Sequence, residues 1–432
     1  MMVSKVALVA ALTACSSAAL VAAPAFAQQP APAQGQQPAQ QAPERQWDLS
    51  AAERAALAPL LTANTAALNA QQAGQTADWA PVQALLPAAV AAAQGADARY
   101  LVARVQLAVA LGTNNSAMQN QALDTLIAST ATPQAELVAV LSARAARAFD
   151  AQDFQTSERH FARLLELRPT DEAVRNNLAI VRQRMGNSSG AIETLMQTIQ
   201  AGEASGQLAS EDVYRRALSL AYTARNRVQT MDLAARLARS YPTGRNWRDA
   251  VRLYQQLGNP SAVLNLDAMR LARATGGLEG EADYLVFAQT LDQAGLPGET
   301  KAVLDEGVAR RAYAADRQGV RDLLSTANRR IVEDQAGLAS QITQARSAPT
   351  GRLARAVADA LYGYGRYAEA AELYQVAGSK PGEDRNLVTL RKGASLAMAG
   401  QRAEAEAAFR TVTGEASDLA RLWLAWLARR PS

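Results

Sequence analysis

One cysteine, one histidine and four lysines are spread over 432 residues, and each scarcity closes off a kind of chemistry. The cysteine, Cys15, falls inside the first 27 residues, so a chain cut after Ala27 keeps no thiol for a disulfide, a thiolate zinc site or a cysteine nucleophile. The lone histidine, His160, has no second histidine or cysteine with which to complete a triad or a zinc site, and it is expected to be an ordinary helix-surface residue. Lysine is limited to Lys5, Lys301, Lys380 and Lys392, so nearly all the positive charge is arginine. With 44 basic against 40 acidic residues the net charge is only +4, and no clustered positive charge is offered to a nucleic-acid partner. Alternating Val/Ile/Thr runs with hairpin turns are missing as well, so no sheet is expected. Beyond the N-terminal segment no apolar run reaches the roughly 18 residues of a membrane-spanning helix.

The N-terminal segment itself carries one charge, Lys5, a long apolar stretch and a small-x-small ending at Ala25-Phe26-Ala27, the pattern of a secretory signal peptide over residues 1–27. Within it, Leu12-Thr13-Ala14-Cys15 resembles the lipobox of bacterial lipoproteins, in which the cysteine takes up lipid before cleavage. Lipidation at Cys15 would leave the apolar residues up to Ala27 close behind the anchor, where a lipoprotein usually has a polar tether. Both processing routes stay open: the first leads to the periplasm, the second to a lipid-anchored outer-membrane protein. Residues 28–46, rich in Gln, Pro and Ala, have almost nothing with which to build a core and are expected to form a disordered tether.

After Trp47 the composition turns to Ala, Leu, Arg and Glu, with apolar residues three and four apart, as in Val138, Leu141, Ala145 and Phe149 or Leu419, Leu422, Trp423 and Trp426. This is the amphipathic helix period, and it predicts an all-α chain of about twenty helices. The breaks are short and carry Gly, Pro or Asn, at Gly186-Asn187, Pro242-Thr243-Gly244, Gly258-Asn259-Pro260, Gly295-Leu296-Pro297, Gly365-Arg366 and Gly400-Gln401. Glycine closes one helix in the left-handed cap and proline suits the first turn of the next. Breaks this short make sequential helices antiparallel neighbours. They recur at 37 residues from Gly258 to Gly295, 35 from Gly365 to Gly400 and 34 from Phe154 to Ser188, which signals stacked helix hairpins.

The order of side chains within these units resembles the tetratricopeptide repeat. Leu361, Gly365, Tyr367, Ala370 and Tyr374 follow its sequence of apolar, turn glycine, aromatic, small and aromatic, and Gly393, Leu396, Gly400, Ala405 and Phe409 repeat it at once. Trp247, Tyr254 and Gly258 form another unit; Leu178, Ala179, Gly186, Ala191 and Leu195, and Tyr284, Phe287, Ala288, Leu291, Gly295 and Leu304, form two more. Two departures stand out: Ser157 where alanine is expected and Asp267 where an aromatic is expected, so the second helix of the Trp247 unit should pack differently. The resemblance to exported bacterial proteins of this family implies an α-solenoid of stacked antiparallel hairpins, since a single hairpin cannot bury its own apolar faces. Residues 47–132 would be hairpins of weak repeat character, 133–312 the main array, 313–349 an atypical helical stretch, and 350–430 two further repeats with a capping helix.

Candidate chemistry is sparse. Gly295 to Lys301 has the wrong spacing for a phosphate-binding loop and lies between helices, and Gly363-Tyr364-Gly365 is a repeat turn. Paired carboxylates such as Glu279 with Glu281, or Glu369 with Glu372, keep a cell-wall hydrolase in view, because glycoside cleavage needs only two acids, one of raised pKa. The resemblance points instead to a concave face lined by each repeat's first helix, where Asn177, Arg215, Arg248, Arg252, Arg352 and Arg355 fall. Guanidinium groups grip carboxylates with a planar fork, so such a groove would take acidic side chains or a C-terminal carboxylate. The expected function is therefore a non-catalytic, cofactor-free scaffold of the cell envelope that binds a protein or peptide. The alternatives are an outer-membrane assembly lipoprotein anchored through Cys15 and the carboxylate-dependent wall hydrolase.

Overall fold

The computed structural model describes residues 45–428. The signal peptide, the lipidation candidate Cys15 and the tether up to residue 44 lie outside the described residues. Within them are twenty α-helices, one 3-10 turn at Gly414–Ala416 and no strand, as the period of the apolar residues predicts. None of these helices is long and apolar enough to cross a membrane. The chain divides into two compact units, Met1–Thr194 and Leu195–Ser432.

The first unit holds the hairpins α1 (Ala51–Gln72) with α2 (Ala80–Ala92), α3 (Ala96–Gly112) with α4 (Ser116–Ala128), and α5 (Gln134–Asp150) with α6 (Phe154–Leu167). Helix α7 (Glu172–Arg184) follows, and α8 (Ser188–Ser205) contains the boundary. The second unit holds α9 (Glu211–Thr223) with α10 (Arg227–Ser240), α11 (Gly244–Gly258) with α12 (Ala262–Ala274), and α13 (Gly280–Gln293) with α14 (Pro297–Ala309). Then come the long α15 (Gln318–Ser347), the pairs α16 (Arg352–Gly363) with α17 (Tyr367–Ser379) and α18 (Arg385–Met398) with α19 (Arg402–Arg410), and a final α20 (Ser417–Leu427).

The hairpins that follow the first all turn in the same way. A residue in the left-handed region ends the first helix at Asn114, Gln152, Gly186, Arg225, Asn259, Gly295, Gly365 and Gly400. At several of these turns a side chain then caps the second helix, as when Asn115 accepts from Met118 N–H, Asp153 from Thr156 N–H and Asn226 from Gln229 N–H. Three of the eight, Asn114, Gln152 and Arg225, are neither glycine nor beside one, so a search for glycine breaks passes over them. The turn at Asn114 gives residues 96–128 the same hairpin geometry as the later units, although their side-chain motif is faint.

The packing rule of small against large is visible in both units. A Cβ on Gly393 would lie 2.7 Å from the Phe409 ring, so the glycine lets α18 approach α19 closely. In the first unit the Trp79 indole lies directly over Gly112, which gives that tryptophan the small partner its sequence context does not announce. The atypical stretch after Tyr313 is mostly one 30-residue helix, α15. Its buried residues Val320, Ala327, Leu338 and Ala345 mark a narrow stripe, flanked by half-buried Leu323, Leu324 and Ile342, with most of the remaining helix exposed. The final helix does more than cap an end: α20 packs on α19 and also returns to α10 and α11. There Arg227 pairs with Asp418 at 3.0 Å and the Ser261 N–H donates to Glu415 at 3.1 Å.

Candidate functional site

Residues one or two helical turns apart share a face, and this places Arg215 with Tyr222 on α9, and Arg248 with Arg252 on α11. Arg215 donates to Glu211 at 2.7 Å and to the Asn246 side-chain oxygen at 2.6 Å, and the buried Asn246 amide in turn donates to Glu211 at 3.0 Å. That hydrogen bond from Asn246, with the guanidinium of Arg215 beside it, holds the Glu211 carboxyl below its ordinary range. Arg248 pairs with Glu279 and donates to the Gly277 carbonyl at 3.1 Å, while Arg252 reaches Asp283 at 3.6 Å. Side chains of alternating charge thus tie α9 to α11 and α11 to the start of α13. Arg252 is the loosest member, with 53% of its side chain exposed, and Tyr222 is 46% exposed. Asn177 is an exposed residue of α7 in the first unit, whereas all five arginines belong to the second.

On α16 the same spacing puts Arg352, Arg355, Asp359 and Tyr362 on one face, and most of that face is filled from within the unit. Arg352 is exposed, but Arg355 binds Glu383 at 2.6 Å and Asp359 at 3.3 Å. Behind it lies a cluster of five charged residues, none more than 5% exposed: Asp267 and Arg270 of α12, Glu299 of α14, Asp359 of α16 and Arg391 of α18. Arg270 reaches Glu299 at 2.7 Å, Asp267 at 3.0 Å and Asp359 at 3.6 Å. Arg391 grips Asp267 at 3.0 Å and Asp359 at 2.8 Å. The Tyr374 hydroxyl donates to Asp359 at 2.6 Å, and Arg270 lies over the Tyr362 ring at 4.6 Å. Burial pushes the Asp359 carboxyl up, but Arg391 and Arg270 outweigh it and hold the group below its usual value.

Such a cluster costs desolvation and returns it only while every member is paired, so its role is to fix how α12, α14, α16 and α18 meet. The recess beside it, against Trp423 and Leu390, has about 10 Å³ of room, one water's worth and too little for a small-molecule ligand. Asp267 is the residue that departs from the repeat pattern, and here is its reason: an aromatic at that position could not bind both arginines. Sequence reasoning found that departure but missed Arg270, Glu299, Asp359 and Arg391. The available signal was a charge inside apolar runs, Arg270 between Met269 and Leu271 and Arg391 after Leu390.

Each unit is built of antiparallel helix hairpins packed side by side. Among solved structures the chain is similar to a tetratricopeptide repeat protein from Parabacteroides merdae, at 12% identity over 68% of this chain and 99% of that one, with a TM-score of 0.27. It is also similar to the P58(IPK) TPR domain, at 15% identity over 79% and 98% of the two chains, with a TM-score of 0.23. Superpositions this loose add nothing to the fold read from the helices themselves. No family model and no curated protein matches the chain.

The remaining candidates are placed as follows. Glu279 faces Arg248, Glu281 faces Arg317, Glu372 meets Arg346 at 2.9 Å and Glu369 meets Arg366 at 2.5 Å. The hydrogen bonds from Arg366 hold the Glu369 carboxyl low, the opposite of what a general acid needs. His160 is a correction: it is only 7% exposed, on the inner side of α6 rather than its surface. Burial, followed by the nearby Arg144, pushes its imidazole pKa down.

Proposed function

We propose that the protein is a non-catalytic scaffold of the bacterial cell envelope that takes a carboxylate-bearing peptide segment of a partner on the first-helix face of α9 and α11. The observation that carries this reading is the state of Arg248 and Arg252. They are ordered by Glu279 and Asp283 in pairs that each have one exposed partner, Glu279 in the first and Arg252 in the second, and such pairs contribute only about 0–1 kcal/mol each. An incoming carboxylate can therefore exchange with them at little cost, while the exposed Tyr222 ring of α9 offers apolar area. Arg355 is left out of this face because it supports the buried cluster.

The test is crosslinking and affinity recovery from intact envelopes with the wild type and with Arg248→Glu combined with Arg252→Glu. A partner held by wild type through a segment rich in Asp or Glu, or through its C-terminus, and lost by a variant of unchanged helical spectrum, is the expected result. Equal recovery by both forms overturns the reading. Export rests on residues 1–27, and the mass of the mature N-terminus decides between a cut after Ala27 and lipid on Cys15.

A further inference from the structure

The described N-terminal end of the first unit is held by a set of contacts separate from the arginines of α9 and α11. Before α1 begins, residues 45–50 run as a non-helical strap across the start of α3. The Arg45 guanidinium donates to Asp97 at 2.8 Å and to the Ala131 carbonyl at 2.7 Å, and lies over the Trp47 ring at 4.4 Å and the Tyr100 ring at 5.3 Å. Trp47 stacks on Tyr100 with centroids 5.5 Å apart, and the Asp48 N–H donates to the other Asp97 oxygen at 2.8 Å. One carboxylate thus reads a side chain and a main-chain N–H together, and one aromatic ring reads the two side chains at positions i and i+2. These are the contacts by which a groove reads an extended peptide.

The strap that makes them is itself weakly held. Arg45, Gln46, Asp48 and Ser50 are exposed, and only Trp47 and Leu49 are partly covered. A segment with so few buried contacts opens far more readily than the helices beneath it. Tyr100, by contrast, belongs to α3 and is held from below by a hydrogen bond to Glu136, so the notch keeps its shape when the strap leaves. We infer that the notch formed by Asp97, Tyr100 and the Ala131 carbonyl is a peptide-binding site for an extended Arg-x-Trp segment, occupied in cis by residues 45–47 and open to exchange with the same motif on a partner protein. Exchange releases the chain preceding Arg45 from its fixed point on the folded part.

The experiment uses the full chain carrying Arg45→Ala and Trp47→Ala, which empties the notch, and a dye-labelled peptide with the sequence of residues 44–50 as probe. Saturable binding to this variant is expected by fluorescence anisotropy. The wild type should bind about tenfold more weakly or worse, because its own strap competes at high local concentration. Replacing the arginine of the peptide by alanine, or adding Asp97→Ala to the protein, should abolish binding while the helical spectrum is unchanged. If the folded variant fails to bind, or binds the arginine-free peptide equally well, the inference is overturned. Should the double substitution unfold the first hairpin, Arg45→Ala alone, which frees Asp97 and the Ala131 carbonyl but leaves Trp47 on Tyr100, must still bind the peptide more tightly than wild type, and binding no tighter than wild type overturns the inference.

Discussion

Lys380 illustrates how a scarce residue type is placed where its geometry is needed. Its ammonium group donates to the carbonyls of Ala345 at 3.2 Å, Arg346 at 2.7 Å and Ala348 at 2.6 Å, closing the C-terminal end of α15. Three converging acceptors suit a compact three-donor cation, whereas a planar guanidinium serves at most two of them. Lys380→Ala should lower stability by about 1–2 kcal/mol in urea titrations, and Lys380→Arg should recover less than half of it. His160 makes a prediction of the opposite chemical kind. Its folded pKa is depressed, so the folded state favours the neutral imidazole and the unfolded chain takes up the proton first. Its contribution to stability is complete above the ordinary histidine pKa of about 6.5 and is lost as pH falls from there through the lower folded value. Urea midpoints measured between pH 7.5 and 5 should therefore fall more steeply for wild type than for His160→Leu.

At the level of the element, the recurring unit is a left-handed turn residue, a cap and a second helix. Side-chain backbones pay for φ near +55° with local strain, and Gln152 and Arg225 sit at φ of 60° and 54°. Gln152→Gly and Arg225→Gly should each raise stability by about 0.5–1 kcal/mol in thermal or urea unfolding. A fall in stability would mean that the side chains hold the turns through contacts of their own. The helices, their number and most of the later turns are legible in the sequence because they follow from the period of apolar residues and from local cap chemistry. The Gln152 and Arg225 turns are not, since neither residue type marks a left-handed turn, whereas Asn114 carries the mark of asparagine and is missed only by a search confined to glycine.

At the scale of the molecule, the second unit is closed by its last helix and by the buried cluster. Trp423 of α20 stacks on Phe409 with centroids 5.8 Å apart and belongs to the same core as Met231 and Trp247. Arg391→Leu leaves Asp267 and Asp359 short of a counter-charge and should cost about 3–5 kcal/mol, the cost of an unpaired buried charge. Adding Asp267→Leu should return part of that loss, because replacing both partners costs less than orphaning one. Strictly additive losses in this double-mutant cycle would show that the two side chains do not share the interaction.

The amino-acid sequence by itself settled that the described chain is helical and hairpin-paired, because helix period, caps and turn residues act over spans of one or two turns. Only the tertiary structure decided which arginines face a neighbour's carboxylate, which lie in a dry core, and that His160 is buried. Arg391 and Asp267 are 124 residues apart, and no local rule relates them. Their pairing exists because the chain brings α12 and α18 together in one core, and a buried guanidinium is tolerable only where a carboxylate meets it.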